Sequence, residues 1–315
     1  MRKLRARRFH AALAMMLAMA ASSCAGRIAP IDPTTIPAPA VNLPRDPDSV
    51  RFAVIGDAGT GGAAQYRVAA RLAAAHSVFP FEFVLMTGDN MYGREGARDY
   101  ETKFEIPYKP LLDGDVKFYA ALGNHDDTNQ IYYEPFNMGG KQYYTFRPKA
   151  GVRFFALNSD YMSPEQLEWL EKELSASGSK WKFAFFHHPM YSAGRHGSDL
   201  MLREAVEPLF VKHGVGVVFA GHEHFYERTK PQKGIYHITS GAAGKLRAGD
   251  IDRGTRFHEA GFDEGYHFIL AEIVDDRMHF QVISDEGRTV DAGTIQRRPE
   301  PRTDSKSELT PVQSR

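Results

Sequence analysis

Cysteine is almost absent from this sequence: Cys24 is the only one among 315 residues. A single cysteine excludes an intramolecular disulfide and any metal site built from several thiolates. An excess of charge is lacking as well, because 39 lysines and arginines balance 39 aspartates and glutamates. This balance gives no overall electrostatic reason to expect a nucleic acid or a membrane surface as partner.

The first 24 residues have the pattern of an export signal. A basic start is followed by an apolar run of small residues over 11–21, which is shorter than the ~20 residues that cross a bilayer. The run leads into Ala21-Ser22-Ser23-Cys24, which resembles the processing site of bacterial lipoproteins. The resemblance implies a lipid on Cys24 and a periplasmic or cell-envelope location. Ordinary signal cleavage is the alternative.

Proline and polar residues mark the limits of the folded part. Six prolines between 25 and 48 predict a weakly structured tether. Residues 299–315 are polar and predict a disordered tail. One globular domain is therefore expected over 49–298, with a hydrophobic content (43% of the whole chain) that is sufficient for a sizeable core.

Apolar runs that end directly in glycine, aspartate, asparagine or histidine dominate this domain. They occupy 51–55, 81–86, 116–122, 181–186 and 215–220. Short apolar runs bounded in this way predict buried strands. Ligands of open α/β sheets bind beyond the carboxyl ends of the strands, which is where these polar residues fall.

Helical patterns separate several of the strands. One is the Ala-rich stretch 64–75, and another begins at Ser163, where Gln166 is expected to complete a capping box. A third is expected from Ser198 or Asp199 to about residue 213. Alternating strands and helices predict an α/β fold with many parallel strands. Further strands at 235–239, 266–274, 277–284 and 289–295 predict a second sheet or sheet edge in the last third.

The residues that follow the strands form a set of metal ligands without thiolates: Asp57, Asp89, Asn124, His187, His222 and His224. Oxygen and imidazole donors suit iron, zinc or manganese. Two cations held close together would clamp both oxygens of a phosphoryl displacement, and one would lower the pKa of a bound water to give hydroxide near neutral pH. Each motif alone is common turn chemistry. Five of them in this order, all after strands, favour a metal site.

The same motifs resemble those of purple acid phosphatases, a branch of the calcineurin-like phosphoesterases. They read GDAG at 56–59, GDNMY at 88–92, GNHD at 123–126, HHP at 187–189 and GHEH at 221–224. The resemblance implies a two-sheet sandwich of mixed sheets flanked by helices, in the order α/β/β/α. It also implies a hydrolase that acts on phosphoric esters through metal-bound hydroxide.

The resemblance also assigns the ligands. One metal would be held by Asp57, Asp89, Tyr92 and His224, and the other by Asp89, Asn124, His187 and His222. Asp89 is then the bridge. A phenolate from Tyr92 is typical of the purple subgroup, in which it binds a ferric ion. This implies iron paired with iron, zinc or manganese. For Tyr92 alone, the alternative is a packed loop tyrosine.

Three further residues receive catalytic roles from the resemblance. His125 would stabilise the scissile phosphate and serve as a general acid, and Asp126 would orient it. His196 corresponds to a histidine of the substrate pocket, with a solvent-exposed loop residue as the alternative. Arg195 is either a phosphate contact or an exposed loop arginine. His188 is expected to point away from the metals, because neighbours on an extended chain face opposite sides.

The function predicted from these observations is that of an acid phosphatase on small phosphate monoesters, with no nucleic-acid partner and membrane contact only through the N-terminal lipid. A phosphodiesterase or nucleotidase with the same metal core is the nearest alternative. A non-catalytic envelope lipoprotein is the alternative from a different class, and the complete ligand set disfavours it.

Overall fold

The computed structural model describes residues 28–298, which form a sandwich of two mixed sheets. The predicted signal segment with Cys24 and the predicted tail 299–315 lie outside the described residues. Among residues 28–298, none of the helices is both long and apolar enough to span a bilayer.

The first sheet has six strands: β1 Val50–Ile55, β2 Phe83–Met86, β3 Lys117–Ala120, β11 His267–Val274, β12 Arg277–Ser284 and β13 Thr289–Gln296. Their order is β13-β12-β11-β1-β2-β3, and β1, β2 and β3 are parallel. The long strands β11, β12 and β13 form an antiparallel meander on one side. The carboxyl ends of β1, β2 and β3 therefore meet at one edge.

The second sheet has seven strands: β4 Tyr144–Lys149, β5 Val152–Ala156, β6 Trp181–Phe185, β7 Val217–Ala220, β8 Tyr226–Thr229, β9 Tyr236–Ser240 and β10 His258–Phe262. Their order is β10-β8-β9-β7-β6-β5-β4, with β5, β6, β7 and β9 parallel. Aromatic side chains fill the space between the sheets, where Phe52 of β1 makes edge contacts with Phe154 and Phe219. Such contacts add to the burial of apolar area.

Helices cover the outer faces: α1 Ala63–Val78, α2 Ala97–Tyr100, α3 Ile106–Asp113, α4 Pro164–Ser175 and α5 Leu200–His213. A short π-helix at Glu101–Glu105 connects α2 to α3, and α1 packs on α3 and β11. Leu170 of α4 and Val206 of α5 belong to a second apolar cluster, on the outer face of the second sheet. The predicted two-sheet α/β sandwich is confirmed.

Two local expectations differ from the structure. Ser163 caps α4 as expected by accepting from the Gln166 N–H at 3.2 Å, but the Gln166 side chain does not complete the capping box. Its amide instead bonds to both backbone groups of Asn158. A buried amide binds the backbone polar groups nearest to it, and here these belong to the loop after β5.

The segment expected to be a weakly structured tether packs on the first sheet over residues 40–46. Val41 and Leu43 are buried in the core. The backbone N–H groups of Arg45 and Asp46 each donate to the carboxylate of Glu272 at 2.7 Å. Glu272 is fully buried on β11, and a buried carboxylate requires such donors. The segment is thus fixed because it satisfies this carboxylate.

Candidate metal centre

The predicted ligands converge at the edge where β1, β2, β3, β6 and β7 end. Three of them, Asp57, Asp89 and His222, have positive φ angles of 53°, 50° and 69°. Non-glycine residues rarely adopt this conformation, and it concentrates at functional sites. The left-handed turn immediately after each strand directs these side chains back over the strand ends.

One group of ligands consists of Asp57, Tyr92 and His224. The Tyr92 hydroxyl lies 3.1 Å from Asp57 Oδ1 and 3.4 Å from His224 Nε2. His224 Nε2 is itself 3.3 Å from Asp57 Oδ1. The other oxygen of Asp57 accepts from the backbone N–H of His222 at 2.9 Å. Only Asp57 Oδ1 therefore faces the other two ligand atoms.

The second group consists of Asn124, His187 and His222. Asn124 Oδ1 lies 3.0 Å from His187 Nε2 and 3.1 Å from His222 Nδ1, and the two nitrogens are 3.2 Å apart. The other ring nitrogen of His187, Nδ1, faces the carbonyl of Thr87 at 3.0 Å. A hydrogen bond from Nδ1–H to this carbonyl leaves the Nε2 lone pair free for a metal, which is the usual arrangement of a histidine ligand.

Asp89 lies between the two groups. Its Oδ1 is 3.4 Å from His187 Nε2 in one group, and its carboxylate lies near enough to Tyr92 in the other group to raise the pKa of that phenol. One ligand atom from each of Asp57, Asp89 and His187 lies within 4.8 Å of the other two. Asp89 is the carboxylate that contacts both groups, which is the position of a bridging ligand.

Glycine is required where the strand ends crowd together. A Cβ on Gly88, whose φ is +94°, would lie 2.7 Å from the His187 ring. A Cβ on Gly123 would lie 2.4 Å from the backbone nitrogen of Asp89 and 2.9 Å from the same ring. These two glycines allow the loops after β2 and β3 to approach His187 closely.

The electrostatics of this edge fit bound cations. Burial, then neighbouring histidines, lowers the pKa of His222 to about 2, and burial with Arg247 and Lys245 lowers the pKa of His224 to about 4. Burial raises the pKa of Asp57, and burial with the two carboxylates raises that of Tyr92. The imidazoles are therefore neutral and ready to donate lone pairs. A bound cation would stabilise the charged forms of the carboxylates and of the phenolate, and so would offset the cost of burying them.

His125 lies at the mouth of the site. Its exposed ring is 5.0 Å from the Tyr92 ring between centroids, and its backbone N–H donates to Asp89 Oδ1 at 3.0 Å. Asp126 does not contact the His125 ring, contrary to the orienting role expected from the resemblance. Adjacent side chains in this turn point in different directions, and Asp126 points inward.

Asp126 instead connects the loops after β2 and β3. Its carboxylate accepts from the backbone N–H groups of Asn90, Met91 and Gly123 at 2.8–3.1 Å. The side-chain amides of Asn90 and Gln130 donate to it as well. Burial and Asp89 raise the pKa of Asp126, while these donors act in the opposite direction because they stabilise the carboxylate.

His196 lies beside the second group of ligands, and its ring centroid is 4.5 Å from that of His222. The buried Glu223 holds the His196 loop by accepting from the backbone N–H of His196 at 3.0 Å. Arg195 points outward, where its Nε pairs with Asp250 at 3.3 Å. His188 packs against His222 with ring centroids 4.4 Å apart, so it is closer to the metal ligands than expected.

The sequence reasoning missed two basic residues in the loop after β9. Lys245 Nζ lies 3.6 Å from the centroid of the Tyr92 ring. Arg247 Nη1 lies 3.2 Å from His196 Nδ1. The sequence did offer a signal, because glycine directly follows β9 and the basic sequence GKLR follows at 244–247. This loop carries no typical metal ligand, so the signal was not used.

The α/β sandwich and its ligand-bearing strand ends define the class of dimetal phosphoesterases. The profile of the calcineurin-like phosphoesterases matches residues 50–226, more than half of the chain. The chain belongs to the calcineurin-like phosphoesterase family. With the clustered ligands, this membership confirms the prediction of a metal-dependent hydrolase of phosphoric esters and implies a dimetal centre.

Purple acid phosphatases are among its relatives. The chain is 25% identical over 301 residues to tartrate-resistant acid phosphatase type 5 of Rattus norvegicus, covering 80% of this chain and 92% of the rat protein. The fold is similar to that of the purple acid phosphatase PPD1 from yellow lupin (Lupinus luteus), with a TM-score of 0.67, 19% identity and coverage of 86% and 58%. GAP50, the anchor in the inner membrane complex of Plasmodium, also has this fold, with a TM-score of 0.72, 17% identity and coverage of 80% and 90%.

Proposed function

We propose that this protein is an acid phosphatase that hydrolyses small phosphate monoesters at a two-cation centre. The observation that carries the proposal is the pair of three-residue groups that Asp89 connects, one of which contains a tyrosine. The similarity to the rat and lupin acid phosphatases supports it. Because the Plasmodium anchor has the same fold, the fold alone does not decide between enzyme and scaffold; the complete ligand set favours an enzyme.

The residues that would hold the cations are those in contact at the sheet edge. Asp57, Tyr92 and His224 would bind one, Asn124, His187 and His222 the other, and Asp89 both. When bound, two cations supply charge stabilisation for the phosphoryl group and an activated water. The presence of a tyrosine favours iron in the first position, with iron, zinc or manganese in the second.

The remaining polar residues would serve the substrate. His125, exposed beside Tyr92, is placed to donate a hydrogen bond to the phosphate as negative charge develops on it. His196, whose ring lies beside that of His222, or His125 would protonate the leaving alcohol. Asp126 would act on both loops through their backbone and would not touch the substrate.

The proposal is tested with matched aryl esters on one purified sample. We expect rapid hydrolysis of 4-nitrophenyl phosphate, slow hydrolysis of bis(4-nitrophenyl) phosphate, and loss of both activities after metal removal. His125→Ala should lower kcat by about 100-fold without loss of metal. A preference for the diester would favour the phosphodiesterase alternative, and full activity in metal-free protein would contradict the proposal.

We also propose that the protein is exported and attached to the cell envelope by a lipid on Cys24. The basic start, the short apolar run and the cysteine that follows it support this location. Growth with a radiolabelled fatty acid should label the wild-type protein and leave Cys24→Ser unlabelled. Equal labelling of both would contradict lipidation at this residue.

A further inference from the structure

The loop after β9 is built tightly against the metal ligands. A Cβ on Gly241 would lie 2.2 Å from the Glu223 carbonyl, and one on Gly244 would lie 2.1 Å from the Ala58 carbonyl. The backbone N–H of Arg247 donates to the His224 carbonyl at 3.0 Å. The backbone that carries Lys245 and Arg247 is therefore held close to the site.

Positive charge exceeds negative charge beside the loop after β9. Arg195 pairs with Asp250 at 3.3 Å and Arg247 pairs with Glu223 at 3.3 Å. Lys245 has no carboxylate within ion-pair distance among residues 28–298, and its ammonium lies over the face of the Tyr92 ring. A cation–π contact of this kind is weak and leaves the ammonium hydrogens available to an anion.

Arg247 also retains free donors. Its contacts with His196, Glu223 and Asp250 all use Nη1. Within the described residues, its Nε and Nη2 have no hydrogen-bond partner in the protein. A guanidinium with an unused pair of N–H groups suits a bidentate bond to a phosphate or carboxylate.

A carboxylate lies elsewhere around the site. Asp160 is 3.6 Å from His188, which packs on the metal ligand His222. A second negative group on a bound ester would be repelled from Asp160 and attracted to Lys245 and Arg247. These charges favour placement of that group beside the two basic residues.

We propose that Lys245 and Arg247 form an anion subsite, the basic lip, that binds a second negatively charged group on the leaving-group side of the substrate. The substrate class is a phosphate monoester whose alcohol carries another phosphate or carboxylate. This inference rests on the proposed function, because the cations hold the first phosphate. Its recognition of the second group depends only on the two basic side chains.

Equilibrium binding of phosphonates tests the basic lip without turnover. The probes are propane-1,3-bisphosphonate and propylphosphonate, measured by calorimetry on the metal-loaded protein. Two identical ends alone give a twofold statistical advantage to the bisphosphonate. We expect wild type to bind it about tenfold more tightly than the monophosphonate, because a charge-assisted bond is added. Lys245→Met should lower the ratio towards two, with Arg247 retaining part of the preference, whereas Lys109→Met, on the exposed surface of α3, should leave it unchanged.

Each other outcome contradicts a different statement. A wild-type ratio near two, or an unchanged ratio in Lys245→Met, would overturn the basic lip. Loss of propylphosphonate binding in Lys245→Met would show that Lys245 serves the first phosphate, which also overturns it. Absence of 4-nitrophenyl phosphate hydrolysis would contradict the proposed phosphatase, while the ratio would still decide whether the basic lip exists.

Discussion

The two groups of ligands in the metal centre differ in chemistry. Asn124, His187 and His222 offer neutral donors that lie 3.0–3.2 Å apart. Asp57, Tyr92 and His224 offer a carboxylate and a phenol in a slightly looser group at 3.1–3.4 Å. The charged group suits a cation of higher charge, and the neutral group suits a divalent cation that exchanges its ligands more readily. The difference predicts that the visible absorption band of a ferric ion bound by Tyr92 depends on the charged group alone. Activity should depend on both groups.

Removal of the bridging carboxylate of Asp89 should have the largest effect on activity. Asp89→Ala takes a ligand from both groups, so we expect both cations to bind poorly. Losing several kcal/mol of charge stabilisation corresponds to a fall in kcat/KM of about 1000-fold or more. Kinetics with an aryl phosphate and elemental analysis measure the two losses. Asp113→Ala, an exposed aspartate on α3, is the matched control and should behave as wild type.

Removing a ligand from the neutral group alone should separate activity from colour. In Asn124→Ala we expect a fall in kcat/KM of about 100-fold and loss of one cation, because the other group keeps all of its ligands. The visible band of the Tyr92 phenolate should remain. Asn129→Ala, in the exposed turn nearby, serves as control. Loss of the band in Asn124→Ala would show that the two groups do not bind independently.

Asp126 joins the loops that carry the two groups, so its replacement should loosen both. Asp126→Asn places an amide N–H₂ against N–H donors, which should lower the free energy of unfolding by about 1–3 kcal/mol. Metal affinity should fall by about 10–100-fold. Thermal unfolding and metal titration measure the two effects. A fall in kcat with stability and metal affinity unchanged would instead support orientation of His125.

Replacement of Tyr92, the phenol of the charged group, should have the smallest effect on activity. Tyr92→Phe should abolish the visible charge-transfer band but lower kcat/KM only by about tenfold or less, because Asp57, Asp89 and His224 remain. Absorption spectra and kinetics of the same sample make the comparison. A colourless wild-type protein that contains ferric iron would contradict the role of Tyr92 as a ligand.

The sequence was most informative where an apolar strand runs directly into a ligand-type residue. Each strand before such a residue is present in the structure, and β12 has the predicted bounds. The edge strand β4, with its proline and mixed burial, was not predicted. Propensity is weak in short edge strands, where pairing decides the conformation.

The sequence did not predict the directions of individual side chains or the contacts between segments that are distant in the chain. Asp126 follows His125 in the chain but points to the opposite side and binds the loop after β2. Lys245 and Arg247 lie far from the other site residues in sequence and reach them only because β9 runs parallel to β7. Likewise, residues 40–46 are fixed by Glu272 on β11, a contact that local composition does not reveal.

The number of metal ions bound per chain tests the central claim most directly. Elemental analysis of the purified wild-type protein should give two ions, and the same analysis of Asp89→Ala should give none. One ion in the wild-type protein, or two ions retained in Asp89→Ala, would contradict a pair of cations held at this sheet edge and bridged by Asp89.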